Sequence, residues 1–250
     1  MGITVKSARE LERMRRAGRI VALTIQALRQ AVRPGVRTRE LDSLAEREIT
    51  RLGGRPAFKG YRGFPATICV SINEEIVHGI PGDRMVREGD IVSLDVGAIV
   101  DGFYGDAAVT VAAGQVPDEV RRLLEVTEGA LHAGIRAARA GARVGDVSAA
   151  VEAFVASRGQ YGVVRQYVGH GIGRLLHEEP QVPNYGPPGL GVLLRPGMTI
   201  AIEPMVNLGT WETRVLGDDW TVVTADGSLS AHFEHTIAIT DGEPQVLTVP

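Results

Sequence analysis

Four acidic residues lie in or beside apolar, β-rich runs of this 250-residue sequence. In chain order they are Asp95, Asp106, Glu203 and Glu234. An ionised carboxylate in an apolar strand is costly unless a cation compensates its charge. Taken singly, each acid has a structural explanation as a turn, cap or strand-terminal residue. Taken together, the four acids predict a site for one or two divalent cations.

The turn between the first two acids predicts how they meet. The pair Asp101-Gly102 is flanked by β-rich runs, which indicates a two-residue hairpin. In that register Asp106 lies opposite Gly97, and residues 95 and 97 share a face because strand side chains alternate. Asp95 and Asp106 are then diagonal neighbours within ~8 Å of each other. A shift of one residue in the turn would put them on opposite faces.

Three histidines lie in surroundings that could complete such a site. Each stands beside glycine or in a loop that ends in proline: His78, His170 and His177. Glycine neighbours allow other groups to approach closely. A single histidine is more often a satisfied polar residue than a ligand, but three of them favour a functional interpretation. One imidazole with several carboxylates suits Mn, Fe, Co or Zn better than Ca or Mg.

Other chemistries find little support in the sequence. It contains no Walker loop, HExxH helix or G-x-S-x-G elbow. The single cysteine, Cys69, cannot form an internal disulfide and is interpreted as a packed residue of a protein in a reducing compartment. A formal net charge of −3 without a long basic block is unlike a nucleic-acid binder. No apolar run approaches the ~20 residues that span a bilayer, so we expect a cytoplasmic protein.

The elements that must position these residues alternate between helical and strand patterns. Helices are predicted from Ser7, which forms a capping box with Glu10, to Pro34-Gly35, from Thr38 to Gly53-Gly54, from about Pro117 to Ala140 and from about Asp146 to Arg158. Strands are predicted over Thr67–Ile72, Asp90–Val96, Ala107–Val111, Met198–Ile202 and His232–Ile239. Hairpin-linked strands interleaved with helices predict an α+β fold whose largely antiparallel sheet carries helices on one face. No linker or repeat is evident, so one domain over residues 1–250 is expected.

The acids and one histidine, in their sequence surroundings, resemble the five metal ligands of the methionine aminopeptidases. These are Asp95 in Ser-Leu-Asp-Val-Gly, Asp106 in Tyr-Gly-Asp, His170 in Gly-His-Gly-Ile-Gly, Glu203 in Ile-Glu-Pro-Met-Val and Glu234 in Phe-Glu-His-Thr. The resemblance covers nearly the whole chain. The chain is similar to the short bacterial form of the type I enzyme. It implies the pita-bread fold, a pseudo-symmetric α+β domain with a central antiparallel sheet.

The resemblance also implies a role for each ligand. Asp106 and Glu234 would bridge two divalent ions (Co, Mn, Fe or Zn). Asp95 would complete one ion, while His170 and Glu203 would complete the other. Water between the ions would have a lowered pKa and would attack the first peptide bond. Glu203 would carry its proton towards the leaving amine.

Substrate contacts are implied in the same way. His177 would contact the scissile carbonyl and His78 the peptide nitrogen. The residues that match the family's pocket for the methionine side chain are Tyr61, Phe64, Cys69 and Trp220, flanked by Phe58 and Leu176. Aromatic and sulfur groups suit a thioether side chain.

The implied function is removal of the initiator methionine from nascent proteins when the second residue is small. The substrates are then the N-terminal peptides of nascent proteins, and this function is compatible with transient contact with the ribosome. We expect a monomer without nucleic-acid or membrane partners. Two alternatives stay open: an Xaa-Pro aminopeptidase or prolidase with the same fold and ligand set, and a pita-bread module that only binds a partner. Cleavage of Met-Gly but not Gly-Pro peptides would distinguish a methionine aminopeptidase from the first alternative. Bound divalent metal would distinguish an enzyme from the second.

Overall fold

Four helices form where the apolar periodicity predicts them, in a computed structural model that describes residues 2–250. They are α1 (Ala8–Ala31), α2 (Thr38–Arg51), α3 (Asp118–Ala137) and α4 (Val144–Ala156), with a short 3-10 helix at Tyr61–Gly63. The side chains of Ser7 and Glu10 form the predicted capping box at the start of α1. Helix α4 begins before Asp146 because that side chain accepts a hydrogen bond from the Arg143 backbone N–H, 2.7 Å away, and so caps the helix from inside its first turn. None of the described helices is long and apolar enough to cross a membrane.

The strands pair only in the antiparallel sense among the described residues. In the first half of the chain they are β1 (Arg55–Pro56), β2 (Ile68–Ile72), β3 (Glu75–Val77), β4 (Ile91–Val100) and β5 (Phe103–Ala112). In the second half they are β6 (Gly162–Val163), β7 (Gly169–Gly171), β8 (Glu178–Val182), β9 (Thr199–Ile202), β10 (Met205–Asn207), β11 (Thr213–Val215), β12 (Val222–Thr224), β13 (Ser230–His232), β14 (His235–Ala238) and β15 (Gln245–Val246). Helices and antiparallel strands together confirm the predicted α+β class.

Two larger sheets carry the acids. In one, β4 pairs with β1, β2 and β5, and in the other the order is β15-β14-β9-β7-β8. Two smaller sheets have the orders β13-β10-β6 and β11-β12-β3. Helix α1 packs on β4 and β5, while α3 contacts β9, β10 and β13. The main apolar core lies between these helices and strands.

The hairpin of β4 and β5 has the predicted register. Gly97 is the partner of Asp106, and Asp95 is the partner of Ala108. Asp101 and Gly102 form the turn with φ values of 49° and 77°, as a two-residue type I′ turn requires. The two acids are therefore diagonal neighbours on one face of the ladder.

The prediction of one continuous strand over residues 232–239 is wrong. The run divides into β13, which pairs with β10, and β14, which pairs with β9. Between them, Glu234 exchanges two backbone hydrogen bonds with Ala108 of β5, with N···O distances of 2.9 and 3.4 Å. The strand breaks because the chain leaves one sheet and enters another, and this exchange joins the two larger sheets beside Glu234.

An internal repeat relates the two halves, as the pseudo-symmetric fold implied by the resemblance requires, although no repeat is evident in the sequence itself. Each half contributes a pair of helices and then a glycine with a φ of 85°, Gly89 and Gly197, ahead of a buried strand. Six residues after each glycine stands an acid, Asp95 or Glu203. The pseudo-symmetry thus places one acid from each half in an equivalent position.

Candidate active site

The acids and one histidine form a single buried cluster. Asp106, His170 and Glu234 offer ligand atoms that all lie within 4.8 Å of one another. Glu203 joins them through His170, since its Oε1 lies 3.5 Å from His170 Nε2. Asp95 lies diagonally across the β4–β5 ladder from Asp106, and its negative charge raises the pKa of that carboxyl group. The structure therefore brings all five predicted ligands together.

Glycines position His170. Strand β7 lies between β8 and β9, and His170 is the partner of Ala201 in β9. A Cβ atom on Gly169 would collide with the Ala201 carbonyl oxygen, and one on Gly171 would collide with that of Glu179. The sequence Gly-His-Gly is therefore required by close approach of the backbone on both sides, and the imidazole is the only side chain of β7.

Backbone contacts also fix Asp106. Its N–H donates to Thr236 Oγ1 at 3.1 Å, and the same hydroxyl donates to the Asp106 carbonyl at 2.7 Å. Thr236 lies in β14, on the sheet opposite the hairpin. The carboxylate of Asp106 is thus held in place through its main chain, and its side chain stays free for another partner.

Burial and mutual repulsion raise the pKa values of all four acids. Burial raises the pKa of Asp95 to about 7. Burial also raises the pKa of the other three acids well above the usual range, and the negative charge of neighbouring carboxylates adds to this effect: Asp106, Glu203 and Glu234. Like charges held this close cannot all ionise near neutral pH without a cation.

Side-chain atoms of the cluster are arranged to accept a metal ion. Asp95 Oδ1, Asp106 Oδ1 and Glu234 Oε1 are buried and have no hydrogen-bond partner within residues 2–250. Burial lowers the pKa of His170 to about 4, so its ring is neutral. Its Nδ1 lies 2.9 Å from the Gly171 carbonyl and donates to it, which leaves a lone pair on Nε2 facing a carboxylate oxygen of Glu203. Oxygen and nitrogen acceptors that face one another fit a divalent cation.

Two further histidines flank the cluster. The ring of His177 lies 4.2 Å from that of His170, and its Nδ1 is hydrogen-bonded to the Tyr61 hydroxyl at 2.9 Å. Burial, helped by the neighbouring His170, lowers the pKa of His177 to about 3, and burial lowers that of His78 to about 4. Both rings are therefore neutral hydrogen-bonding groups at physiological pH.

The residues predicted for the methionine pocket also lie together. They belong to one apolar cluster: Phe58, Tyr61, Phe64, Cys69, Leu176 and Trp220. The rings of Phe64 and Trp220 meet edge to face at 5.1 Å. Cys69 is the partner of Asp95 across β2 and β4, so this apolar cluster borders the acids. Burial raises the pKa of the Cys69 thiol well above its usual range, which agrees with a packed residue.

An open cavity borders two of the histidines, His170 and His177. A cavity of about 930 Å³ is lined by His170, His177 and Arg62 on one side. The N-terminal segment, including Thr4 and Lys6, lines it on another. The cavity therefore reaches the cluster at His170, beside His177.

His232 is a site residue that the sequence analysis did not select. Its Nε2 lies 3.8 Å from Glu203 Oε2, and the residue is 1 % exposed. A sequence signal existed, because His232 precedes Glu234 by two residues and strand positions two apart share a face.

Known proteins match this chain over nearly its full length. The sequence model of metallopeptidase family M24 matches residues 12–241. Methionine aminopeptidase 1 of Bacillus subtilis is 53 % identical over 246 residues, which cover 98 % of this chain and 99 % of that protein. The crystal structure of methionine aminopeptidase from Thermotoga maritima aligns with a TM-score of 0.98 and 48 % identity, covering 100 % of both chains.

A more distant likeness concerns the fold alone. The prolidase of Pyrococcus furiosus aligns with a TM-score of 0.79 at 22 % identity, covering 98 % of this chain and 65 % of that one. Together with the Thermotoga structure, this likeness confirms the predicted pita-bread fold.

Proposed function

The chain belongs to metallopeptidase family M24, and we propose that it is a methionine aminopeptidase, which removes the N-terminal methionine of nascent proteins whose second residue is small. The observation that carries this proposal is the buried cluster of four carboxylates and one imidazole beside an apolar cluster of aromatic side chains and Cys69, which we propose as the pocket for the methionine side chain. The cluster supplies ligands for hydrolytic metals, and the pocket suits a thioether.

The donor set fits two divalent ions. Four carboxylates carry a formal charge that two divalent ions cancel, and the neutral imidazole adds none. Co, Mn, Fe and Zn all accept this mixture of oxygen and nitrogen. In the proposed arrangement five side chains would hold the ions, with Asp106 and Glu234 contributing to both: Asp95, Asp106, His170, Glu203 and Glu234. When bound, the ions supply Lewis acidity, which lowers the pKa of water and polarises the peptide carbonyl.

Glu203 is the proposed proton carrier. It lies just after β9, and its side chain keeps 14 % exposure, more than that of His170. A carboxylate at the edge of the cluster can take a proton from water and deliver it to the leaving amine.

Tyr61 prepares His177 for its proposed contact with the scissile carbonyl. When the Tyr61 hydroxyl donates to Nδ1, the hydrogen of the neutral imidazole lies on Nε2. That N–H can donate to the carbonyl oxygen as negative charge develops on it. His78 is proposed to contact the peptide nitrogen, and its ring lies edge to face with Trp220 at 6.2 Å, which links this contact to the pocket.

Further parts of the proposal follow from the substrate. A free amino terminus that binds beside the metals limits removal to one residue, and a large second residue would crowd them. An enzyme that acts on nascent chains meets its substrates in the cytoplasm and in transient contact with the ribosome. We propose that residues 1–250 act as one catalytic domain and as a monomer.

A peptide panel tests the function. Metal-free protein would be supplied separately with Mn, Fe(II), Co or Zn and given Met-Gly-, Met-Ala-, Met-Leu- and Gly-Pro-initiated peptides. We expect methionine release from the first two peptides, much less from the third and no cleavage of the last. Cleavage of only the Gly-Pro peptide would establish a proline-directed peptidase instead. A protein that binds none of the metals and hydrolyses nothing would be a binding module.

A further inference from the structure

We propose that His232 is a positioning residue for Glu203, whose second carboxylate oxygen it holds through its Nε2–H group. This inference rests on the proposed aminopeptidase function. This positioning role differs from those proposed above for the five metal ligands and for His78 and His177.

The imidazole of His232 is buried without a partner of its own. The residue is 1 % exposed, and its Nε2 has no hydrogen-bond partner in the part of the chain that the structure describes. Nearly all buried polar atoms in proteins have such a partner. The nearest acidic group is Glu203, whose Oε2 is 3.8 Å away, so a small rotation of either side chain closes the hydrogen bond.

The two oxygens of Glu203 face two different imidazoles. Its Oε1 lies 3.5 Å from Nε2 of His170, while its Oε2 faces Nε2 of His232. His170 uses its only hydrogen on the Gly171 carbonyl and cannot donate to the carboxylate. His232 can donate, because in one tautomer its hydrogen lies on Nε2. His170 would thus share a metal with Glu203 when an ion is bound, and His232 would hold the remaining carboxylate oxygen.

Hydrogen bonds on both sides fix the backbone of His232. The His232 N–H donates to Thr110 Oγ1 at 2.8 Å, and the same hydroxyl donates to the His232 carbonyl at 2.9 Å. His232 also pairs with Met205 in β10. Glu203 lies in the break between β9 and β10. A donor on a rigid strand therefore faces a carboxylate on a less regular segment, as a positioning contact requires.

The functional consequence is a defined orientation for the proton carrier. With Oε2 held, Glu203 receives and releases its proton at a fixed place relative to the substrate. Without the bond, the carboxylate rotates among several orientations, and turnover falls while peptide binding persists. A hydrogen bond to a charged group corresponds to roughly a tenfold to hundredfold effect on rate.

Two variants of similar size separate donation from packing. Gln in His232→Gln can present an amide N–H close to the position of the imidazole Nε2, whereas Leu in His232→Leu fills the space without a donor. At saturating Mn²⁺ and with a Met-Gly peptide, we expect His232→Leu to lower kcat by roughly tenfold to a hundredfold with KM nearly unchanged. His232→Gln is expected to recover most of this loss.

Metal binding provides the second readout. Calorimetric titration of metal-free protein with Mn²⁺ should give the same number of bound ions for wild type and both variants. Affinity for Mn²⁺ is expected to weaken in His232→Leu by roughly tenfold to a hundredfold at most, as for other residues that orient a metal ligand. Fewer bound ions in His232→Leu would make His232 a metal ligand and overturn the proposal.

Controls make the remaining outcomes decisive. Ser230→Ala changes a buried residue two positions away on β13 and should leave kcat unchanged. An equal loss in Ser230→Ala, a wild-type kcat in His232→Leu, no recovery in His232→Gln, or a change in KM alone would each overturn the proposal. If the thermal melt shows that His232→Leu is unfolded, His232→Met replaces it as the variant without a donor. Failure of the wild type to release methionine would refute the proposed function instead.

Discussion

Replacing Glu178 by Gln tests how the loop that carries His177 is held. Glu178 Oε2 lies 2.6 Å from Lys6 Nζ, and the two side chains are 9 % and 4 % exposed. The same oxygen accepts a 2.6 Å hydrogen bond from Thr4 Oγ1, while Oε1 accepts from the backbone N–H groups of Arg174 and Leu175 at 2.7 and 3.2 Å. One carboxylate therefore ties the N-terminal segment to the loop that ends at His177.

The expected loss of stability follows from these contacts. Breaking one side of a buried ion pair costs about 3–5 kcal/mol, and a single hydrogen bond to a charged group contributes roughly 1.5–3 kcal/mol. Gln keeps one acceptor oxygen, so we expect Glu178→Gln to lower the free energy of unfolding by about 3 kcal/mol. For a chain of this size, that corresponds to a fall in Tm of roughly 6–12 °C.

The difference between wild type and variant should depend on pH. Burial alone would raise the pKa of Glu178, but hydrogen bonds from Lys6 and Thr4 and the charge of Lys6 hold it below its usual value of 4.5. A folded-state pKa below the unfolded value gives stability that is fully present above the unfolded pKa and is lost as the pH falls through the folded pKa. The Tm difference should therefore be constant near neutrality and should shrink below about pH 4.5.

Thermal unfolding of the metal-free proteins and kcat with a Met-Gly peptide are the measurements. Glu243→Gln is the control, because the Arg139–Glu243 pair also has a 2.6 Å contact but its side chains are 53 % and 69 % exposed. Its loss should stay below about 1 kcal/mol. Equal Tm values for the two variants would refute the stability argument. An unchanged kcat in Glu178→Gln would refute the link between this carboxylate and His177.

Two further predictions concern the reaction itself. Glu203→Gln should keep the fold but lower turnover by roughly 10²–10⁴-fold, because the amide cannot carry the proton; circular dichroism and methionine release measure both, and near-normal turnover would remove Glu203 from the mechanism. His177→Ala should lower kcat by roughly 10²–10³-fold while metal content, measured by atomic emission, changes much less. Proportional losses of turnover and metal would instead make His177 a ligand.

Local patterns in the sequence predicted the elements well where the determinants are local. The capping box of Ser7 and Glu10 gave the start of α1, and Asp101-Gly102 gave the register of β4 and β5, which brings two of the acids together. These signals act over a few residues, so the chain alone reveals them.

Long-range contacts could not be predicted in the same way. The break at Glu234 depends on pairing with Ala108, and the ion pair of Lys6 and Glu178 joins residues 172 positions apart. No local pattern specifies either contact. The contact of His232 with Glu203 was missed for a similar reason, because it depends on the pairing of β13 with β10, which brings His232 beside the residue that follows β9.

The cluster combines a rigid backbone with unsatisfied side chains. Hydrogen bonds from Thr236 and the exchange between Glu234 and Ala108 hold the main chain around the acids, yet Oδ1 of Asp106 and Oε1 of Glu234 have no partner among the described residues. A site held by its own side-chain contacts would have to break them in order to bind an ion. Here the main chain already fixes the positions, so binding costs little rearrangement and relieves the repulsion that raises the pKa of these acids. Backbone hydrogen bonds of the sheets thus hold the carboxylates together against their electrostatic repulsion. The arrangement that is unfavourable without a cation is therefore already in place to bind one.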